Sequence, residues 1–343
     1  MTGLPWLEDA SLFASGSDAL VELVRWSARE QGWHRVWLPS YYCPDVPAAL
    51  VAAAVPGVEL RTYPDAALWA TADLGAIPAE PGDAVVIANQ LGVRARTDTA
   101  AIEARGAAIV EDHSHDLASD WALTSTADYA FASLRKTLPI PDGGAVWSPR
   151  GLPLTPEPSV DDEASTTSQI ARATDRLAVA LSSRAQEVGP VADRLLFRAL
   201  ARTAAQPRGA TVHRGISPVS RALLPQMPVD AWRERRRRNL DVLAEAAAST
   251  SAAQILVAPA GGVAFALTLV FDTADLREAA SAALMARAVV PSVLWPLNEA
   301  RDWGVGAADA DLSGRILSIH GDQRYDEADM HQLAGILREV LQH

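Results

Sequence analysis

The sequence is short of cysteine, of lysine and of long apolar runs, and each shortage narrows what the chain can be. One cysteine, Cys43, in 343 residues excludes an intramolecular disulfide and predicts a reducing, cytoplasmic setting. No apolar run approaches the ~18 residues that a membrane-spanning helix needs, so no membrane association is expected. The opening MTGLPWLEDASLF has no basic segment ahead of an apolar one and does not read as a secretion signal. Basic residues are in deficit: 30 Lys and Arg stand against 42 Asp and Glu, a net charge of −12. Such a chain repels phosphate backbones, which argues against nucleic-acid binding. What remains is an ordinary globular composition, 49% hydrophobic and 21% charged, long enough for two domains.

The lysine shortage says most. Lys136 is the single lysine, beside 29 arginines. Arginine replaces lysine as a surface cation but not as a nucleophile, because its guanidinium stays protonated. A lysine amine can lose its proton and form a Schiff base. Lys136 is therefore a candidate for chemistry that arginine cannot do.

Along the chain, helical and β-like segments alternate. Apolar spacing predicts helices at 18–31, 44–55 and 97–106. Short apolar runs predict strands at 36–40, 58–63, 84–88, 107–111, 129–133 and 144–148. This alternation predicts an α/β domain with a mostly parallel sheet flanked by helices. Residues 151–170 read as a loop, 170–205 as helical and 206–231 as irregular. Beyond them come a helix at 232–248, strands at 262–271, 286–295 and 314–320, and helices at 276–286 and 326–342. The second half reads as a smaller α+β domain, with the division at 1–230 and 231–343. The Arg235–Arg238 run reads as a solvated helix face or a salt-bridge surface between domains.

Three local signals fit one cofactor. In SGSDAL (15–20) a small turn opens directly into a helix, whose free N–H groups suit a phosphate. Helix capping by Ser and Asp explains the same residues. In AAIVEDHSHDL (107–117) a strand ends in Glu111 and Asp112, followed by His113 and His115. An acid at the C-terminal end of an α/β strand lies where such sheets bind ligands. Asp112 suits a protonated heterocyclic nitrogen. Asp112, His113 and His115 also suggest a metal, but no further ligand type stands nearby and no metal is expected. In YAFASLRKTLPIPDGGAVWS (129–148) Lys136 follows a strand, with Arg135 beside it as a partner for phosphate or carboxylate. A phosphate cradle, an acid for a ring nitrogen and one lysine together describe a site for pyridoxal 5′-phosphate.

At this point the sequence resembles the DegT/StrS-type, or sugar, aminotransferases of the fold-type-I pyridoxal-phosphate enzymes. SGSDAL resembles their SGT-A-L phosphate turn, and VWLPSYYCPDV (36–46) resembles their V-x-x-PS-x-T segment. IANQLG (87–92), IVEDHSHDL and FASLRKTLPIPDGGAV resemble their H-x-x-G, IEDAAQ and lysine motifs. RRRRNLDVL and RILSIHGDQRYDEADM resemble the start of their small domain and their terminal segment.

The resemblance implies a large domain with a mostly parallel seven-stranded sheet, a short N-terminal arm and a small C-terminal α+β domain. It implies that Lys136 holds the cofactor as an internal aldimine and shuttles the proton. Asp112 then pairs with the pyridine nitrogen, and His115 lies near the phenolic oxygen. Gly16, Ser17 and Asp18 surround the phosphate, to which Ser133 also donates, and Tyr42 or Cys43 packs against the ring. A homodimer with shared active sites is implied as well.

Two departures stand out. The lysine motif is two residues shorter between Ser133 and Lys136, so Arg135 has no counterpart. VHRGISPVS (212–220) also lacks the Asn that the family gives to a partner's phosphate, leaving His213 or Arg214 as replacements. The expected activity is transfer of an amino group from an amino acid to a keto or aldehyde acceptor on a sugar, cyclitol or specialised metabolite. The alternative is another pyridoxal-phosphate reaction, an elimination, decarboxylation or bond formation. The segments near Trp295 and His320 are expected to shape the acceptor pocket.

Overall fold

The computed structural model describes residues 3–140, 142–158, 215–248, 250–297 and 304–342. Helix α1 (Gly16–Glu30) forms because Ala19, Leu20, Leu23, Val24 and Ser27 recur at helical spacing on one buried stripe. Ser15 caps it by accepting the N–H of Asp18. It leads into β2 (Arg35–Pro39), α2 (Asp45–Ala53) and β3 (Glu59–Tyr63). β4 (Asp83–Ala88), α3 (Ala100–Glu103), β5 (Ala108–Asp112) and α4 (Asp120–Leu123) follow. Then come β6 (Tyr129–Ser133), a 3-10 turn (Leu134–Lys136) and β7 (Gly144–Trp147).

With β1 (Ser11–Phe13), these strands make a seven-stranded sheet in the order β1-β7-β6-β5-β4-β2-β3. β2 to β6 run parallel, while β7 is antiparallel to both β6 and β1. This is the mostly parallel seven-stranded sheet that the family resemblance implies; β1 is not among the strands that the apolar runs predict.

Both faces of this sheet are covered, so its central strands read as unbroken apolar runs. All six residues of β4 are buried. Alternation sends Ala84, Val86 and Ala88 to the core under α1 and α2, and Val85 and Ile87 to the core on the opposite face. The turn after β4 is held by close contact. Leu91 (φ 56) and Gly92 (φ 68) both adopt left-handed backbone. A Cβ on Gly92 would lie 2.6 Å from the Val263 carbonyl oxygen, so glycine is required there.

The C-terminal region contains α5 (Pro218–Leu223), α6 (Val229–Ala247), β8 (Ala253–Leu256), β9 (Leu267–Phe271), α7 (Ala274–Ala286), α8 (Ala307–Arg315), β10 (Ile316–Ile319) and α9 (Glu327–Leu341). β10-β9-β8 form a small antiparallel sheet. Its core joins Leu269 and Leu317 to Leu243 of α6, Leu284 of α7 and Leu337 of α9.

Several expected elements change. The 286–295 run is not a strand: it carries one isolated bridge, Ser292 to Ser318. Pro291 has no N–H for a ladder, and Ala288 turns the chain at φ 62. The third strand of the small sheet is instead β8, four residues long and only partly buried, too short to show a period. The 262–271 strand shrinks to Leu267–Phe271, and the 97–106 helix to Ala100–Glu103. Most of the 151–170 loop, the 170–205 helix, His213 and Arg214 lie outside the described residues.

Candidate active site

Three expected residues meet at the C-terminal ends of β5 and β6. Asp112 closes β5, and its carboxylate is held on both oxygens. The Ser114 N–H donates to Oδ1 at 2.9 Å, and the Tyr42 hydroxyl donates to Oδ2 at 2.5 Å. Burial, then the Asp112 charge, pushes the Tyr42 phenol well above its ordinary value, so it stays a donor. The Ser114 hydroxyl accepts the N–H of Ser133 at 2.9 Å, which ties the end of β5 to the end of β6.

Lys136 ends the turn that follows β6. Its Nζ lies 3.3 Å from His115 Nε2 and 5.8 Å from the centroid of the Trp295 ring. Nδ1 of His115 accepts the Leu91 N–H at 3.0 Å, a bond that the left-handed turn after β4 makes possible. That bond assigns the imidazole proton to Nε2, facing the lysine. Burial, then the Lys136 charge, holds the His115 imidazole well below its ordinary value, against a smaller opposing effect of the Asn89 backbone. The ring is enclosed by Phe265 at 5.0 Å and Trp295 at 5.5 Å. Phe265 also meets the His320 ring edge-on at 5.3 Å, which puts His320 one ring away from His115.

At the other end of the site, the first residue of α1 is pressed against Ser133. A Cβ on Gly16 would come within 2.9 Å of Ser133 Cβ and 3.0 Å of its N. The positive end of a 15-residue helix and the Ser133 side chain therefore adjoin, an arrangement that suits a phosphate. Asp18, beside Gly16 in the same turn, is bonded to the helix cap. Its N–H donates to Ser15 Oγ at 3.1 Å, and its carboxylate accepts the Ser15 hydroxyl at 2.5 Å.

The remaining candidates divide. Cys43 is half-buried and free, and burial pushes its thiol above the ordinary value, which suits a packing residue. Arg135 lies in the Lys136 turn, half-buried. His113 leaves the site: it is fully buried on the opposite side of β5, bonded to Glu111 at 2.9 Å. Asp112, His113 and His115 therefore do not converge on a metal. His34, Glu80 and Asp83 elsewhere bring ligand atoms within 4.8 Å of one another, but Arg35 already takes both of those carboxylates.

Phe265 and the Leu91 N–H are site groups that sequence reasoning missed. The glycine of IANQLG is the one local sign of the turn that aims Leu91.

No family model matches the sequence, and no curated protein matches it. Solved structures do. A DegT DnrJ EryC1 StrS aminotransferase from Brucella abortus is similar over 97% of this chain and 86% of its own, at 16% identity and a TM-score of 0.59. DesV of S. venezuelae, solved in complex with a ketimine intermediate, covers 97% of this chain and 85% of its own at 17% identity and a TM-score of 0.63. The putative sugar aminotransferase Spr1654 from Streptococcus pneumoniae, in its PMP form, covers 97% and 88% at 13% identity and a TM-score of 0.63. At these identities the likeness is one of fold. The chain has the fold of the DegT/StrS-type sugar aminotransferases, in agreement with the resemblance of its motifs. Among the described residues no helix is long and apolar enough to cross a membrane.

Proposed function

We propose that this protein is a pyridoxal-phosphate-dependent aminotransferase that moves an amino group from an amino-acid donor to a keto or aldehyde acceptor. The single lysine's amine, 3.3 Å from His115 Nε2 and in a turn adjoining the strand that ends in Asp112, carries this reading. The residues present fit the cofactor at three points. The start of α1 and Ser133 suit its phosphate, Asp112 suits its ring nitrogen, and Lys136 suits its aldehyde. Bound there, the cofactor would supply an electron sink for bond breaking beside the amino group.

The chain's own residues do the rest. His115, kept neutral by burial, presents Nε2–H toward the Lys136 amine. Lys136 would hold the cofactor through Nζ and would carry a proton at that atom as general acid and base. Asp112, fixed by Tyr42 and Ser114, would hold a proton on the cofactor's ring nitrogen. Trp295 packs beside the Lys136 amine and the His115 ring, and Phe265 beside His115, which orients the imidazole. The same proposal includes a homodimer and the division near residue 230.

The test is the visible spectrum of the purified protein mixed with pyridoxal phosphate, then titrated with glutamate and other amino acids. A yellow band that is absent in Lys136→Ala and bleaches with a donor is the expected result. An intact protein that develops no such band overturns the cofactor assignment. A band that no donor bleaches overturns the transfer reaction.

A further inference from the structure

Two distant segments hold the chain where it enters α1. Phe13 pairs with Gly144 of β7 at one edge and with Gly215 at the other. Beside Gly144, Gly143 bridges Ser15, and its N–H donates to the Ala14 carbonyl at 2.8 Å. Gly143 also reaches the second half of the phosphate cradle. Its carbonyl accepts the N–H of Leu134, the residue after Ser133, at 3.0 Å. One residue therefore bonds to the run that leads into Gly16 and to the run that leaves Ser133.

A single carboxylate ties these segments together. Asp142 precedes Gly143, is 4% exposed, and accepts from residues 75 and 78 positions further along the chain. The Ser217 N–H donates to Oδ2 at 2.8 Å, and the Ser217 hydroxyl donates to Oδ1 at 2.6 Å. The Ser220 hydroxyl also donates to Oδ1. Both serines are buried, and Ser217 caps α5 by accepting the Ser220 N–H at 3.2 Å. Removing the carboxylate would strand three buried donors, so this junction resists movement. Asp142 adjoins Gly143, and Ser217 lies two residues from Gly215. Their bonds hold Gly143 and Gly215 against opposite edges of the run that enters α1. Placement matters here, because N–H groups at a helix start hold a phosphate only at hydrogen-bond distance.

We propose that Asp142 is a positioning residue for the phosphate cradle. It acts through Gly143, which sets the approach of Gly16 to Ser133. The proposal rests on the reading of the α1 start and Ser133 as a phosphate site.

The test titrates the full-length, cofactor-free protein with inorganic phosphate, reading the heat of binding. Pyridoxal phosphate and pyridoxal are then titrated separately, reading the visible band. Pyridoxal has the aldehyde and the ring nitrogen but no phosphate, so it reports on Lys136 and Asp112 without the cradle. Asp142→Ala should weaken inorganic phosphate and pyridoxal phosphate by about tenfold, the worth of one hydrogen bond to a charged group. Its affinity for pyridoxal should stay within about twofold, less than one hydrogen bond is worth. A merely structural role would weaken all three alike. Ser133→Ala should also weaken inorganic phosphate, which locates the bound anion at the cradle. Glu111→Ala, altered on the other side of β5, should leave phosphate affinity unchanged. If Asp142→Ala fails to fold, Asp142→Asn decides: it keeps an oxygen for the two hydroxyls and should show the same pattern at about threefold. An intact protein that binds no phosphate, or binds it equally in Ser133→Ala, overturns the proposal. So does an Asp142 variant with unchanged phosphate affinity, an equal loss of pyridoxal, or a loss that Glu111→Ala shares. Phosphate binding that needs Asp142 and Ser133 but not Glu111, with no visible band from either aldehyde, upholds the proposal and overturns the cofactor reading.

Discussion

The two sides of β5 carry the same residue types and come to opposite ends. On one side, Glu111 accepts from His113 at 2.9 Å, from Trp121 at 2.8 Å and from Ser125 at 2.6 Å. The His113 ring is set between Trp121 and Trp147. Burial alone would raise the Glu111 carboxyl, but these bonds outweigh it and hold the group below its usual range. On the other side, Asp112 is fixed by Tyr42 and Ser114, while His115 faces the amine of Lys136. A carboxylate whose bonds are filled by neighbouring side chains, an imidazole among them, makes a brace. The same pair of residue types arranged around the Lys136 amine makes the candidate site.

This contrast is broken most sharply at Lys136. Lys136→Ala should lower amino-group transfer by about 10³-fold or more while leaving the urea midpoint nearly unchanged, since a half-buried general acid–base is removed and no brace is lost. A variant that transfers at the original rate would place the chemistry elsewhere.

Glu111→Ala should do the reverse. It strands two buried donors and a half-buried one and should cost about 3 kcal/mol in a urea melt. Asp112→Ala strands two buried donors, Tyr42 and the Ser114 N–H, so it should cost about 2 kcal/mol and, unlike Glu111→Ala, also reduce cofactor binding. Equal losses of cofactor binding in the two variants would erase the distinction between brace and site.

Acid sharpens the comparison, because the two sides respond in different windows. The His115 imidazole binds its proton less readily folded than unfolded, so the unfolded state takes up more protons below about pH 6.5. Stability should therefore fall as pH drops from 7 toward 5, by up to ~1.4 kcal/mol per pH unit for one such group. His115→Gln should flatten that slope by up to one proton, with His320, also lowered by burial, supplying the remainder. Glu111, lowered in the fold, stabilises it above the ordinary carboxylate value and loses that contribution only below about pH 4.5. Urea midpoints measured from pH 4 to 8 separate the two windows, and an unchanged slope in His115→Gln would contradict the burial of a neutral imidazole.

The smallest effect belongs to Tyr42→Phe. Losing one hydrogen bond to Asp112 should cost about 1 kcal/mol and shift the visible band of the cofactor-loaded protein. A band identical to that of the unaltered protein would reduce Tyr42 to core packing.

Much of this arrangement is legible in the sequence because it is local. The apolar runs of β4, β5 and β6 mark the buried strands, Asp112 falls at the end of one, and Lys136 is the single lysine. The small sheet is less legible. β8 is too short to display a period, and the 286–295 run has strand composition around a proline that cannot join a ladder. The part of Phe265 was hidden for another reason: it reaches His115 from more than a hundred residues away in sequence.

The sequence by itself determined the strand-and-helix alternation, the acid at the end of β5 and the one residue able to act as an amine. Tertiary structure decided between the two histidines. The period of two in a strand separates Glu111 and His113 from Asp112, but does not say which side the turn after β6 will occupy. That depends on β6 pairing with β5 in parallel and on the Leu91 N–H arriving from the end of β4. Pairings between strands are long-range contacts set by the packing of the whole sheet, and no local pattern of residues encodes them.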